Sequence, residues 1–83
     1  MKIEMYTKII CPYCVKAKHL LESKNLQVIE YNIQKDPNKL NEMLQRSNGR
    51  KTVPQIFIND AHIGGCDDLI VFMQKGELDK LLS

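Results

Sequence analysis

The chain has 83 residues, 43% hydrophobic and 27% charged, with 12 basic against 10 acidic side chains for a formal charge of +2. That length supports one small core and hence a single domain over residues 1–83, and the composition excludes a disordered tail, a collagen-like fibre and a low-complexity linker. Charge this balanced, spread along the chain, excludes a nucleic-acid binder. No apolar run approaches the ~20 residues of a membrane span. Met1-Lys2-Ile3-Glu4-Met5 carries an acid and lacks the apolar stretch of a signal peptide, so a cytoplasmic place is expected.

In chain order, Lys2-Ile3-Glu4-Met5-Tyr6 alternates polar and apolar residues and predicts a short strand. Pro12 has φ preset near −65° and no N–H to lose, so it suits the first position of a helix, with Cys11 just before it. Cys14, Ala17, Leu20 and Leu21 recur at helical spacing, and the pattern ends near Lys24-Asn25. Gln27 to Ile33 is rich in β-branched and aromatic residues and predicts a second strand. Asp36 as N-cap and Pro37 at the first turn open a second helix with the apolar stripe Leu40, Met43 and Leu44, and Asn48-Gly49 stops it. Gln55-Ile56-Phe57-Ile58 predicts a strand buried on both faces, Asn59-Asp60 a turn, and Ala61-His62-Ile63 the return strand, broken by Gly64-Gly65. Cys66-Asp67-Asp68 opens a third helix, and a short fourth runs from Glu77 to Leu82. The order βαβαββα, with a last short helix, has a right-handed crossover at its start and predicts a mixed four-stranded sheet with helices over it.

Cys11, Cys14 and Cys66 are an odd number of cysteines, unlike a stapled secreted scaffold. A nucleophilic sulfur must be a thiolate, and a sulfur at a helix start faces unpaired N–H groups and the positive end of the helix dipole. Lys8, three residues upstream, adds positive charge. Cys14 lies one turn on, close enough for a disulfide but deeper, so Cys11 is expected to attack and Cys14 to resolve. A lone C-x-x-C is also half a zinc site, but the second half would need His19 and His62, both expected at the surface, or Cys66. No metal is expected.

Cys11-Pro12-Tyr13-Cys14, Thr52-Val53-Pro54 and Gly64-Gly65-Cys66-Asp67-Asp68, in this order and spacing, resemble a glutaredoxin of the short bacterial dithiol type. The resemblance covers nearly the whole chain and implies the thioredoxin fold, in agreement with the predicted order. It implies a glutathione-dependent thiol–disulfide oxidoreductase that reduces protein–glutathione mixed disulfides and protein disulfides, with glutathione as cosubstrate. The implied glutathione site takes Lys8 near the glycyl carboxylate and the Tyr13 ring beside the tripeptide. Thr52, Val53 and Pro54 form a cis-proline edge that pairs with the ligand backbone. Gly65 allows close approach, and the backbone at Cys66 and Asp67 takes the γ-glutamyl carboxylate, the Asp67 side chain lying near the ammonium.

Asn41 stands where the family has a longer polar or basic side chain. Arg46, Arg50 and Lys51 are expected as solvated surface charge, and Asp68 as a partner for the helix dipole. Cys66 reads either as a small residue beside the groove or as a thiol acidified by its helix start. The implied partners are glutathionylated or disulfide-containing proteins, ribonucleotide reductase among them, acted on by a monomer. Two other readings are a glutathione-ligated iron–sulfur dimer, which Pro12 disfavours, and a carrier reduced by a flavoprotein.

Overall fold

The computed structural model describes residues 1–83. In chain order its elements are β1 (Ile3–Thr7), α1 (Pro12–Glu22), β2 (Ile29–Asn32), α2 (Pro37–Arg46), β3 (Gln55–Ile58), β4 (Ala61–Gly64), α3 (Cys66–Gln74) and α4 (Glu77–Leu82). The strands form one sheet in the order β2-β1-β3-β4. β1 and β2 are parallel across the α1 crossover, whereas β1–β3 and β3–β4 are antiparallel. This is the mixed sheet that the predicted order requires, and it is a thioredoxin fold.

Local chemistry accounts for most boundaries. The Asp36 carboxylate accepts from the Asn38 N–H at 3.0 Å and Pro37 occupies the first turn of α2. Asn48 and Gly49, at φ 59° and 91°, end that helix as expected. Asn59 and Asp60 both take positive φ, which a two-residue hairpin turn with the twist of its strands requires. α1 is shorter than predicted: the chain leaves the helix after Glu22 and turns through Asn25 at φ 61°. β2 likewise spans only part of the predicted Gln27–Ile33 stretch. Gly64 still pairs with Ile56 as the last residue of β4, and Gly65 is the N-cap of α3.

The two faces of the sheet differ. On one, Ile3 and Met5 of β1 and Ile56 and Ile58 of β3 pack with Ala17 and Leu21 of α1, Leu69 of α3 and Leu78 of α4. On the other, Tyr6 and Phe57 pack with Met43 of α2. The polar residue at the centre of β1 is not at the surface here: Glu4 is 3% exposed. Its carboxylate takes two bonds from the Arg46 guanidinium, at 3.1 and 3.0 Å, and one from the Tyr31 hydroxyl at 2.8 Å. Arg46 is therefore not solvated surface charge. It lies over the Phe57 ring at 4.0 Å, donates to the Tyr6 hydroxyl at 2.8 Å and reaches Asp60 at 3.4 Å. The Arg46 bonds hold Glu4 below the usual carboxylate range, while burial and the hydrogen bond to Glu42 push Tyr6 up to about 12.

Candidate active site

α1 begins at the edge of the sheet, and its first residues place two sulfurs there. Cys11 is the N-cap, with extended backbone, and its Sγ accepts from the Cys14 N–H at 3.1 Å. A sulfur there occupies the place of the usual Ser or Asp oxygen, directly on the helix N–H groups. Cys11 and Cys14 are joined as a disulfide, their Cα atoms 5.2 Å apart. Cys11 is 7% exposed and Cys14 3%, so Cys11 is the more accessible of the pair.

The Val53–Pro54 bond is cis, as the family resemblance implies. The Val53 carbonyl oxygen lies 4.0 Å from the Cys11 Sγ, so this loop edge runs beside the sulfur. A buried amide braces the edge from behind. Gln55 Nε2 donates to the Thr52 carbonyl at 3.0 Å and to the Thr52 hydroxyl at 3.2 Å. Its Oε1 then faces His62 Nε2 at 2.7 Å, which makes that ring nitrogen the protonated one. The His62 ring stacks on Phe57, and burial lowers its pKa. Gln55 reads in the sequence as an ordinary strand position, and His62 is weighed there only as a surface zinc ligand, so neither is assigned to this edge.

The opposite wall is the start of α3. Gly64, at φ 119°, has no room for a Cβ, which would collide with the Asp68 side chain. A Cβ on Gly65 would stand 3.5 Å from the Pro54 carbonyl, narrowing the space between the walls. The Asp68 carboxylate accepts from the Gly65 N–H at 2.9 Å and from Arg50 Nη1 at 3.3 Å. The Gly65 bond first, then Arg50, holds Asp68 below its ordinary range. Asp68 thus caps its helix, as expected, while Arg50 is more than solvated charge.

Between the walls lies a groove of about 370 Å³ lined by Tyr13, Arg50, Thr52, Val53, Pro54 and Gly65 through Asp68. Seven residues of the predicted glutathione site meet there: Tyr13, Thr52, Val53, Pro54, Gly65, Cys66 and Asp67. Lys8 is not among them; it lines a separate depression with Glu30, Asn32 and Lys35. Asn41 is exposed on α2 and does not line the groove. Cys66 is 4% exposed and packs with the core, and burial pushes its thiol up. The reading of Cys66 as an acidified thiol is therefore corrected: burial outweighs its helix start. No group of three or more His, Cys, Asp or Glu is placed to hold a metal ion.

A family model described as Glutaredoxin matches residues 3–63. Glutaredoxin 3 of Escherichia coli K12 is 54% identical over 80 residues, covering 96% of this chain and 95% of that protein. The solution structure of a glutaredoxin from Brucella melitensis is 45% identical and covers 99% of this chain and 88% of its own, with a TM-score of 0.82. The crystal structure of a buckwheat glutaredoxin–glutathione complex is 28% identical and covers 96% and 74%, with a TM-score of 0.84. The cysteine pair on a helix start, the cis-proline edge and these likenesses agree: the chain belongs to the glutaredoxin family of glutathione-dependent thiol–disulfide oxidoreductases.

Proposed function

We propose that Cys11 is the nucleophile, that Cys14 resolves, and that the groove beside them holds glutathione. The observation that carries this is the Cys11 sulfur on the first N–H groups of α1, with the Val53 carbonyl 4.0 Å away at the head of the groove. A tripeptide lying along that edge would pair its cysteine backbone with Val53, bringing its sulfur against Cys11. Tyr13 flanks it, and Thr52 and Pro54 complete the edge. The γ-glutamyl carboxylate meets the free N–H groups of Cys66 and Asp67 across Gly65, and the Asp67 carboxylate meets the ammonium. Lys8 lies outside the lining, and its flexible stem is assigned to the glycyl carboxylate. The buckwheat complex supports glutathione as the ligand of this groove.

The chemistry is two exchanges. The Cys11 thiolate attacks the glutathione sulfur of a mixed disulfide; that S–S bond breaks, and the client sulfur leaves as a thiolate and takes a proton. The thiolate of a second glutathione attacks the Cys11-bound glutathione, releasing glutathione disulfide and the Cys11 thiolate. In sum the mixed disulfide and one free glutathione become the client thiol and glutathione disulfide, so one S–S bond is exchanged for another and one glutathione thiol is consumed. With a protein disulfide, Cys11 forms the mixed disulfide and Cys14 attacks its Cys11 sulfur, leaving the Cys11–Cys14 bond for glutathione to reduce. Glutathionylated and disulfide-containing proteins, ribonucleotide reductase among them, are the assigned clients of a cytoplasmic monomer whose one domain is residues 1–83.

The two cysteines separate in one assay. Cys14→Ser should keep reduction of a small glutathione mixed disulfide, since the second glutathione comes from solution, and lose most reduction of a protein disulfide. Cys11→Ser should lose both. A folded Cys14→Ser chain inactive toward the mixed disulfide would contradict these roles.

A further inference from the structure

Nine large apolar side chains are exposed, and four of them, Ile9, Ile10, Tyr13 and Val15, lie within seven residues that bracket Cys11. Ile9 is 67% and Ile10 80% exposed, on the turn between β1 and α1 and immediately before the sulfur. Nothing in the fold explains two adjacent isoleucines in water there. The turn is held in place: the Ile9 N–H donates to the Gln34 side chain at 3.0 Å. Two stiff apolar side chains on a fixed turn keep a standing hydrophobic surface at the lip of the site, and covering it is favourable.

Ile9 also borders the separate depression, which measures about 380 Å³ and is lined mainly by polar and charged groups. Its one acid, Glu30, is already engaged by Lys18 at 2.9 Å. Lys8 and Lys35 stand in it with no carboxylate within ion-pair distance. The lip is therefore apolar at the sulfur and cationic one step out. Its complement is a polypeptide with an apolar residue beside its reacting cysteine and an acidic residue a few positions further on.

We infer that Ile9, Ile10 and Lys35 form a client-docking surface that selects polypeptides whose glutathionylated cysteine is flanked by an apolar residue and then by an acid. This rests on the proposed roles of Cys11 and the groove and adds a preference among clients. None of Ile9, Ile10 and Lys35 lines the groove that Thr52 and Asp67 border, so a client and its attached glutathione can both be held.

Three substrates test it: the mixed disulfide of free cysteine with glutathione, a glutathionylated peptide with apolar and acidic flanks, and one with polar and basic flanks. The unsubstituted chain should turn over the apolar–acidic peptide with kcat/KM about tenfold above the polar–basic one. Ile9→Ser with Ile10→Ser should remove most of that advantage, and Lys35→Glu should shift preference toward the basic flank. Both variants should use the free-cysteine substrate as before. Equal kcat/KM for the two peptides, or an advantage that survives the isoleucine changes, overturns the inference and leaves the proposed function standing. No turnover of the free-cysteine substrate by the unsubstituted chain overturns the proposed function, and this inference with it. Concentration-dependent dimerisation abolished by Ile10→Ser would assign the patch to a second copy and overturn the client.

Discussion

Asp67 and Asp68 are neighbours at the start of α3, and the structure gives them different tasks. Asp68 binds the Gly65 N–H of its own wall and Arg50, which reaches it from the segment between α2 and β3. Asp67 is exposed at the groove with no hydrogen-bond partner and no ion pair of its own. Asp68→Ala should therefore destabilise, by about 1 kcal/mol for the lost helix-start bond, with little added by the exposed Arg50 pair. For a chain of this size that is a fall in Tm of about 4–8 °C. Asp67→Ala should leave Tm unchanged and raise the KM for glutathione several-fold. Thermal melts and initial rates on the two variants check this; an Asp67→Ala chain with normal KM would return Asp67 to a plain helix-dipole partner. Sequence motifs pointed to both residues, because G-G-C-D-D is contiguous. They could not divide the tasks, since that depends on Arg50 reaching across 18 positions.

At the scale of elements, the motifs and turn chemistry located every helix and strand, because Pro12, Pro37, Asn48-Gly49 and Asn59-Asp60 act locally. What was hidden is the second face of the sheet. β1 alternates in sequence, but α2 covers the side on which Glu4 points, so alternation did not mean exposure. The partner of Glu4 is Arg46, 42 positions away, and no local pattern signals such a pair. Burial penalises both charges, so the pair stabilises little over an apolar substitute, while removal of one partner leaves the other uncompensated. Glu4→Gln should accordingly cost about 2 kcal/mol at neutral pH, Asp60 and Glu42 softening the loss. The pH dependence has a definite sign. Glu4 titrates below its ordinary 4.5 in the folded chain, so its contribution is complete above that pH and fades as pH falls through the folded value. Urea melts should show the gap between the two proteins narrowing from pH 7 to pH 3. A gap of constant size would mean that the Glu4 charge does not stabilise the fold.

For the whole molecule, the family match ends at residue 63, but the physical unit does not. Gly65, Cys66 and Asp67 of the groove lie beyond it, and so do Leu69 and Leu78, which are 0% and 1% exposed in the main core. Leu78 belongs to α4, a six-residue helix too short to persist alone, so its place depends on that one buried side chain and on packing against α3. The dependence runs the other way as well: α3 carries one wall of the groove on its first turn and packs against α1, which carries the sulfurs. If residues 1–83 are one cooperative domain, a cavity at the far end must be felt at the site. Leu78→Ala should lower stability by about 2–4 kcal/mol, the cost of a buried leucine methyl pair with partial collapse around the hole. Far-UV circular dichroism, tyrosine fluorescence and loss of mixed-disulfide activity on urea titration should then shift together to one lower midpoint. Activity that outlasts the loss of helix signal, or a separate early transition confined to part of the helical signal, would show that α4 frays independently and that the domain is smaller than the chain.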